Sequence, residues 1–151
     1  TDKKVIFIIN VSEKQLAEGW QPDEELLKIM NGRDYVTLST PLEMVLSELG
    51  EPTPGLDSLI KTAYKTLDLI TFLTTGEDET RAWTATKGDL IPKASRAIHT
   101  DFEKMFIRAE VINWKTLLET DGWTAAKSKG LIKTVGKDYI VKDGDVVEIK
   151  I

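Results

Sequence analysis

The chain has 151 residues, 41% of them hydrophobic and 30% charged, with a formal net charge of −5. That length and apolar content can bury one substantial core or two small ones, so a folded protein rather than a disordered one is expected. With no cysteine and a single histidine, His99, a thiolate nucleophile, a disulfide framework and an ordinary zinc site are excluded.

The first element is Val5-Ile6-Phe7-Ile8-Ile9, a continuous apolar run with the composition of a parallel strand covered on both faces. It is also the longest apolar run and too short to cross a bilayer. No charged, apolar and small-residue series at the amino end reads as a secretory signal, so a cytoplasmic location without membrane contact is expected. The polar Asn10-Val11-Ser12-Glu13 follows at the carboxyl end of this strand, where open α/β sheets place their ligands. Pro22-Asp23-Glu24-Glu25 marks a first helical turn with acidic groups at the positive end of the dipole. That helix is predicted to run to about Met30 and stop at Asn31-Gly32. Tyr35-Val36-Thr37-Leu38 is a second strand. Thr40-Pro41-Leu42-Glu43 then supplies an N-cap, a proline in the first turn and a capping-box glutamate. Leu56, Leu59, Ile60, Ala63, Tyr64 and Leu67 recur at helical spacing and predict a helix ending near Thr66. Strand and helix alternate in this way through residue 66, which is the grammar of a parallel sheet.

From Leu69 the grammar changes. Ile70 to Thr74 and Arg81 to Thr86 read as strands joined by a hairpin connection, Thr75-Gly76-Glu77-Asp78-Glu79. A helical stretch is predicted from Pro92 through His99, and a strand from Phe106 to Val111. A short helix capped by Asn113 covers Trp114 to Leu118, and another lies around Trp123 to Lys129. Tyr139 to Val141 and Val146 to Ile151 read as strands around the turn Lys142-Asp143-Gly144-Asp145. A mixed unit of this kind over residues 67–151 suits a β-grasp. Charge follows the same division: residues 1–69 carry 7 Lys/Arg against 12 Asp/Glu, whereas residues 70–151 carry 13 of each.

Several stretches closely resemble the carboxyl-terminal signature of YchF proteins and Obg-like ATPases. They are Glu79-Thr80-Arg81-Ala82-Trp83-Thr84, Lys87-Gly88, Ile98-His99-Thr100-Asp101-Phe102-Glu103-Lys104 and Phe106-Ile107-Arg108-Ala109-Glu110-Val111. The run from Gly136 to Asp145 is similar to the same family's ending, and Val5 to Glu13 resembles its base-specificity strand and motif. Met105 stands where family members usually carry glycine, and the segment between Gln15 and Leu56 is shorter than theirs. The resemblance implies an α/β fragment of a P-loop NTPase (G) domain over residues 1–66 and a β-grasp, ubiquitin-like TGS domain over 67–151. No Gly-x-x-x-x-Gly-Lys-Ser/Thr loop occurs in these 151 residues. The expectation is therefore a piece of a longer ATPase or GTPase, with Mg2+ and the phosphates of ATP or GTP held by an upstream part.

The resemblance further implies that Asn10, Val11, Ser12 and Glu13, with Ser39 and Thr40 after the next strand, contact the nucleotide base. The usual guanine reader, Asn-Lys-x-Asp, uses its short carboxylate to accept two hydrogen bonds from guanine. Glu13 carries one methylene more, which displaces that fork and weakens guanine preference. Asn10 can serve adenine by donating to N7 and accepting from the 6-amino group, while Val11 would offer a backbone N–H and an apolar flank. Asn-x-x-Glu is a weak pattern by itself, and a plain loop cap after a buried strand is the competing reading.

The ribosome, or its RNA, is the partner that the resemblance implies for the second part. Its candidate contacts are Lys87, Lys93, Arg96, Lys104, Arg108, Lys127, Lys129 and Lys133, against the alternative of ordinary solvated side chains. His99 reads as structural, with no nucleophile or orienting partner evident, and Trp83, Trp114 and Trp123 read as packing residues. A free-standing TGS binding module with no nucleotide function is the alternative for the whole chain.

Overall fold

Two sheets, one small and one large, organise the chain in a computed structural model that describes residues 3–76 and 79–151. The first belongs to the unit Thr1–Leu67 and the second to the unit Asp68–Ile151.

In the first unit, β1 (Phe7–Asn10) and β2 (Tyr35–Leu38) pair in parallel, with Phe7 opposite Tyr35 and Asn10 opposite Leu38. A parallel pair needs a crossover, which here contains α1 (Glu13–Ala17) and α2 (Glu24–Met30). The Asp23 carboxylate caps α2 by accepting from Leu26 N–H at 2.8 Å, and the helix ends at Asn31 with φ 50°. After β2 come α3 (Thr40–Glu48) and α4 (Pro54–Thr66). Val36, Leu38, Val11 and Met30 form the buried apolar positions.

Three expectations change here. The first strand begins at Phe7, not Val5, and Ile8 is 55% exposed, so the run is not covered on both faces. Its burial fails because β1 has a single strand neighbour among the described residues, something an apolar run cannot reveal. Thr40 is the first helical residue of α3 rather than its N-cap; Ser39 takes that position without a side-chain bond to the helix. Glu43 completes no capping box. Its two carboxylate oxygens instead accept from Gly55 N–H at 2.8 Å and Leu56 N–H at 3.0 Å, satisfying the first amides of α4.

The second unit carries the strand order β4-β3-β7-β5-β6. These strands are β3 (Leu69–Thr75), β4 (Thr80–Thr86), β5 (Arg108–Asn113), β6 (Lys133–Val135) and β7 (Asp145–Lys150). β3 and β7 run parallel at Leu73 and Val146, and every other pairing is antiparallel. Alternation along the strands sends Ile70, Phe72, Ala109, Val111 and Val147 to one face. There they meet Ile91, Ala94 and Phe106 from the covering helical segment. Ile112 and Val146 face the other way and pack with Ala126.

The helical stretch expected at Pro92–His99 is shorter and broken: α5 (Ile91–Ala94) runs into a 3-10 turn (Ser95–Ala97), followed by α6 (Thr100–Met105). His99 is the break, because its Nδ1 accepts from Asp101 N–H at 3.2 Å and caps α6. α7 (Trp114–Leu118) starts at the expected cap Asn113, and α8 covers Trp123–Ser128. Tyr139–Val141 forms no full strand; only Ile140 bridges, to Leu90. The edge strand β6 was not foreseen. Of the hairpin Thr75–Glu79, Glu77 and Asp78 lie outside the described residues.

Candidate functional site

The carboxyl ends of β1 and β2 bring the two sequence-selected loops together. Asn10 Oδ1 accepts from Thr40 N–H at 2.9 Å and from Thr40 Oγ1–H at 3.0 Å. That single side-chain amide satisfies the first amide of α3, thirty positions on in the sequence, and it fixes its own orientation by doing so. With both lone pairs of Oδ1 engaged, the amide's remaining function is its NH2 group, a double donor. Asn10 and Glu13 are both exposed, at the end of the sheet and not in its interior.

The other four residues separate by role. Val11 donates its N–H to Leu38 O at 2.9 Å and buries its side chain. The expected backbone donor and apolar flank at Val11 are therefore not presented, because the strand ladder continues one residue past Asn10. Ser12 caps α1: its Oγ accepts from Gln15 N–H at 3.2 Å, and its own N–H donates to Gln15 Oε1 at 3.0 Å. Glu13 is the first residue of α1, placed by that capping box. Ser39 is 0% exposed, and its Oγ is a buried polar side-chain atom with no hydrogen-bond partner among the described residues. Beside Thr40 a pocket of about 480 Å3 opens between Ile8, Leu38, Met44 and Leu56.

The eight basic residues singled out in the second unit lie on separate elements. Lys87 follows β4, Lys93 lies on α5, Arg96 in the 3-10 turn and Lys104 on α6; Arg108, Lys127, Lys129 and Lys133 belong to β5, α8, its C-cap and β6. Three of them are held by carboxylates. Lys93 Nζ lies 2.7 Å from Asp89 Oδ1, Arg96 Nε 3.3 Å from Glu103 Oε2, and Lys127 Nζ 2.9 Å from Glu110 Oε2. The hydrogen bond from Lys127 holds the Glu110 carboxyl below the usual glutamate range, against the opposing effect of burial. These anchoring carboxylates were missed in the sequence. Only Asp89–Lys93, four residues apart, carried a local signal.

Asp143-Gly144-Asp145 is a structural turn. Asp143 Oδ1 accepts from Thr71 N–H at 2.8 Å, and Asp145 Oδ2 accepts from Tyr139 Oη–H at 2.8 Å and Lys142 N–H at 2.9 Å. Burial, then the bond to Asp145, pushes the Tyr139 hydroxyl pKa well above the ordinary tyrosine value. Trp83 donates from Nε1 to Thr74 Oγ1 at 2.9 Å, with the Arg81 guanidinium 4.6 Å above its ring. Among the described residues no group of three His, Asp or Glu side chains is placed to hold a metal ion. Nor is any helix long and apolar enough to cross a membrane. The acceptors among the described residues do not make a magnesium site.

A parallel β-α-β unit that joins two loops at its strand ends, followed by a five-stranded mixed sheet, defines a two-part mixed α/β protein. Residues 69–151 match the family described as YchF-GTPase_C, protein of unknown function (DUF933). The Ribosome-binding ATPase YchF of Bacillus subtilis (strain 168) is 36% identical over 167 residues, covering 99% of this chain and 45% of the relative. Obg-like ATPase 1 of Caenorhabditis elegans is 37% identical over 166 residues, covering 99% of this chain and 42% of the relative. The structure of the Schizosaccharomyces pombe YchF GTPase superposes with a TM-score of 0.78 at 30% identity, over 98% of this chain and 43% of that one. The chain belongs to the YchF/Obg-like ATPase family and corresponds to its carboxyl-terminal portion. It spans less than half the length of these relatives.

Proposed function

We propose that residues 1–66 are the base-reading edge of a P-loop NTPase (G) domain and residues 67–151 a β-grasp TGS domain that contacts the ribosome through RNA. In this reading the chain supplies nucleotide selection and partner contact to an ATPase or GTPase. Mg2+ and the nucleotide phosphates are held by parts of the family's length outside these residues.

The observation that carries the nucleotide half is the Asn10–Thr40 contact, which locks two loops together at the carboxyl ends of adjacent parallel strands. Asn10 Oδ1 is used internally, so its NH2 group donates to purine N7, and the 6-position is read by another acceptor. That modifies the expectation from sequence, in which Asn10 served both atoms of adenine. Glu13, exposed at the start of α1, sets its carboxylate one methylene further out than the aspartate of the guanine-reading motif. The pattern favours adenine or leaves the two purines nearly equal.

Nucleosides test this without needing a phosphate site. Titrating adenosine and guanosine into the isotope-labelled chain is expected to shift the amide signals of residues 10–13 and 39–40. Adenosine should act at the lower concentration, and Asn10→Ala should abolish the response. Glu13→Asp is expected to strengthen the guanosine response. A guanosine preference in the parent chain, or shifts confined to other residues, would overturn the assignment.

A further inference from the structure

The second unit places its cations in two layers of charge. Asp89 is only 14% exposed at its side chain while its partner Lys93 is 61% exposed. The same holds, less sharply, for Glu103 at 38% and Arg96 at 58%. In both pairs the cation is the more exposed partner. The less exposed partner restrains the cation and so reduces the ordering cost of binding. Asp89 is itself fixed, its Oδ2 accepting from Thr86 N–H at 3.2 Å.

Lys93 and Arg96 both line one pocket of about 240 Å3, together with the Asp89 carboxylate that holds Lys93 and with Thr84, Ala85 and Thr86 of β4. β4 is an edge strand of the sheet, so the pocket opens at a boundary of the fold and not within it. Arg96 Nε lies 3.3 Å from Glu103 Oε2, and a guanidinium carries further N–H donors of a geometry suited to an oxyanion. Lys87 follows β4 directly. No aromatic ring lines the pocket, which removes the stacking platform a base would need. Its volume suits one tetrahedral oxyanion, not a nucleotide.

We infer that the pocket between β4 and the α5/3-10 segment holds one backbone phosphate of a bound RNA strand, with Lys93 and Arg96 as its ligands. This inference rests on the RNA-contact reading above and narrows it to one of the two basic regions.

The test uses the full chain, a short single-stranded RNA oligonucleotide and, separately, inorganic phosphate. Lys93→Gln with Arg96→Gln is expected to weaken RNA binding about fivefold and to make the log–log salt dependence shallower by about 0.7, one phosphate's contribution on a single strand. Both side chains are exposed, and an unchanged thermal melt verifies that the variant folds. In the parent, RNA should shift the amides of Thr84, Thr86 and Arg96. The charge-neutral variant of Arg108, Lys127, Lys129 and Lys133 should retain the larger part of the affinity. If that variant loses RNA binding while the Lys93/Arg96 variant keeps it, the pocket is refuted and RNA contact moves to the other region. If the parent binds no RNA, pocket and RNA contact fall together; shifts with inorganic phosphate alone would mean an adventitious ion only.

Discussion

Gly144 shows how much of the second unit turns on one missing methyl group. Its φ is +79°, and a Cβ there would lie 2.5 Å from Trp114 Cδ1 and 2.8 Å from Nε1. Its N–H donates to Thr71 O at 2.8 Å, and its carbonyl accepts from Trp114 N–H at 3.0 Å. Residues far apart in sequence therefore close on one glycine. Gly144→Ala is expected to cost about 2–4 kcal/mol, because backbone strain and a clash with a ring add. Gly130 has a similar φ of +68° but nothing within 4 Å of the added carbon. Gly130→Ala should cost only about 1 kcal/mol, the conformational part alone. Urea midpoints of the two variants measure the difference; equal shifts would show that the Trp114 contact is not what makes Gly144 special. The sequence identified the turn from Asp-Gly-Asp, but not the indole seated against it. That contact joins a turn to a helix about thirty residues earlier and leaves no periodic trace.

At the scale of elements, α8 is fastened to β5 by the pair Lys127–Glu110. Lys127 Nζ donates to both carboxylate oxygens at 2.9 Å, and Glu110 is buried while Lys127 is exposed. The folded pKa of Glu110 lies below its ordinary value. Its contribution to stability is therefore present above the usual glutamate range and is lost as pH falls through the lowered folded value. With one partner largely in solvent, the pair is worth about 1 kcal/mol at neutral pH. Lys127→Met should destabilise by that amount at pH 7 and by progressively less toward about pH 3, followed by chemical denaturation at each pH. A pH-independent difference would mean that Lys127 contributes through its aliphatic stem.

Elements of this kind were unevenly legible. α2, β2, α4, β3, β4 and β7 announced themselves because apolar periodicity and local caps agree there. β6 did not: Lys133-Thr134-Val135 is three residues with one apolar side chain, and it exists because Ala109 to Val111 of β5 pairs with it. Among the candidate site residues, the exposure of Asn10 and Glu13 was readable from their position after an apolar run. The use of Asn10 Oδ1 to hold Thr40 was not, nor was Glu43 reaching across to α4. In each case a long-range acceptor replaces the local cap that the sequence advertised. The Ser12-x-x-Gln15 capping box was written plainly in the sequence. Only its first residue, Ser12, belongs to the base-contact motif expected from the sequence.

The core of the whole chain is distributed unequally between its units, and that has a measurable consequence. Among the described residues, the clusters of mutually packed buried residues lie in Asp68–Ile151. In Thr1–Leu67, neither α3 nor α4 contributes a buried residue, and Met44, Val45, Leu49 and Ile60 are exposed. Apolar area removed from water is the main favourable term in folding, at about 25 cal/mol per Å2, so the first unit has less holding it against local opening. A single two-state transition is therefore not expected. Native-state hydrogen exchange should show the amides of β1, β2, α3 and α4 opening at lower free energy than those of β3, β5 and β7. Fluorescence can follow the units separately, because Trp20 is the only tryptophan of the first and Trp83, Trp114 and Trp123 belong to the second. A variant retaining Trp20 alone should report a urea midpoint below that of a variant carrying Trp20→Phe. Coincident midpoints, together with one common exchange free energy for both sheets, would establish a single cooperative unit and remove the asymmetry just argued. Purine nucleosides provide the converse measurement: a ligand bound where Asn10 meets Thr40 should raise the Trp20 midpoint while leaving the other three tryptophans' transition in place.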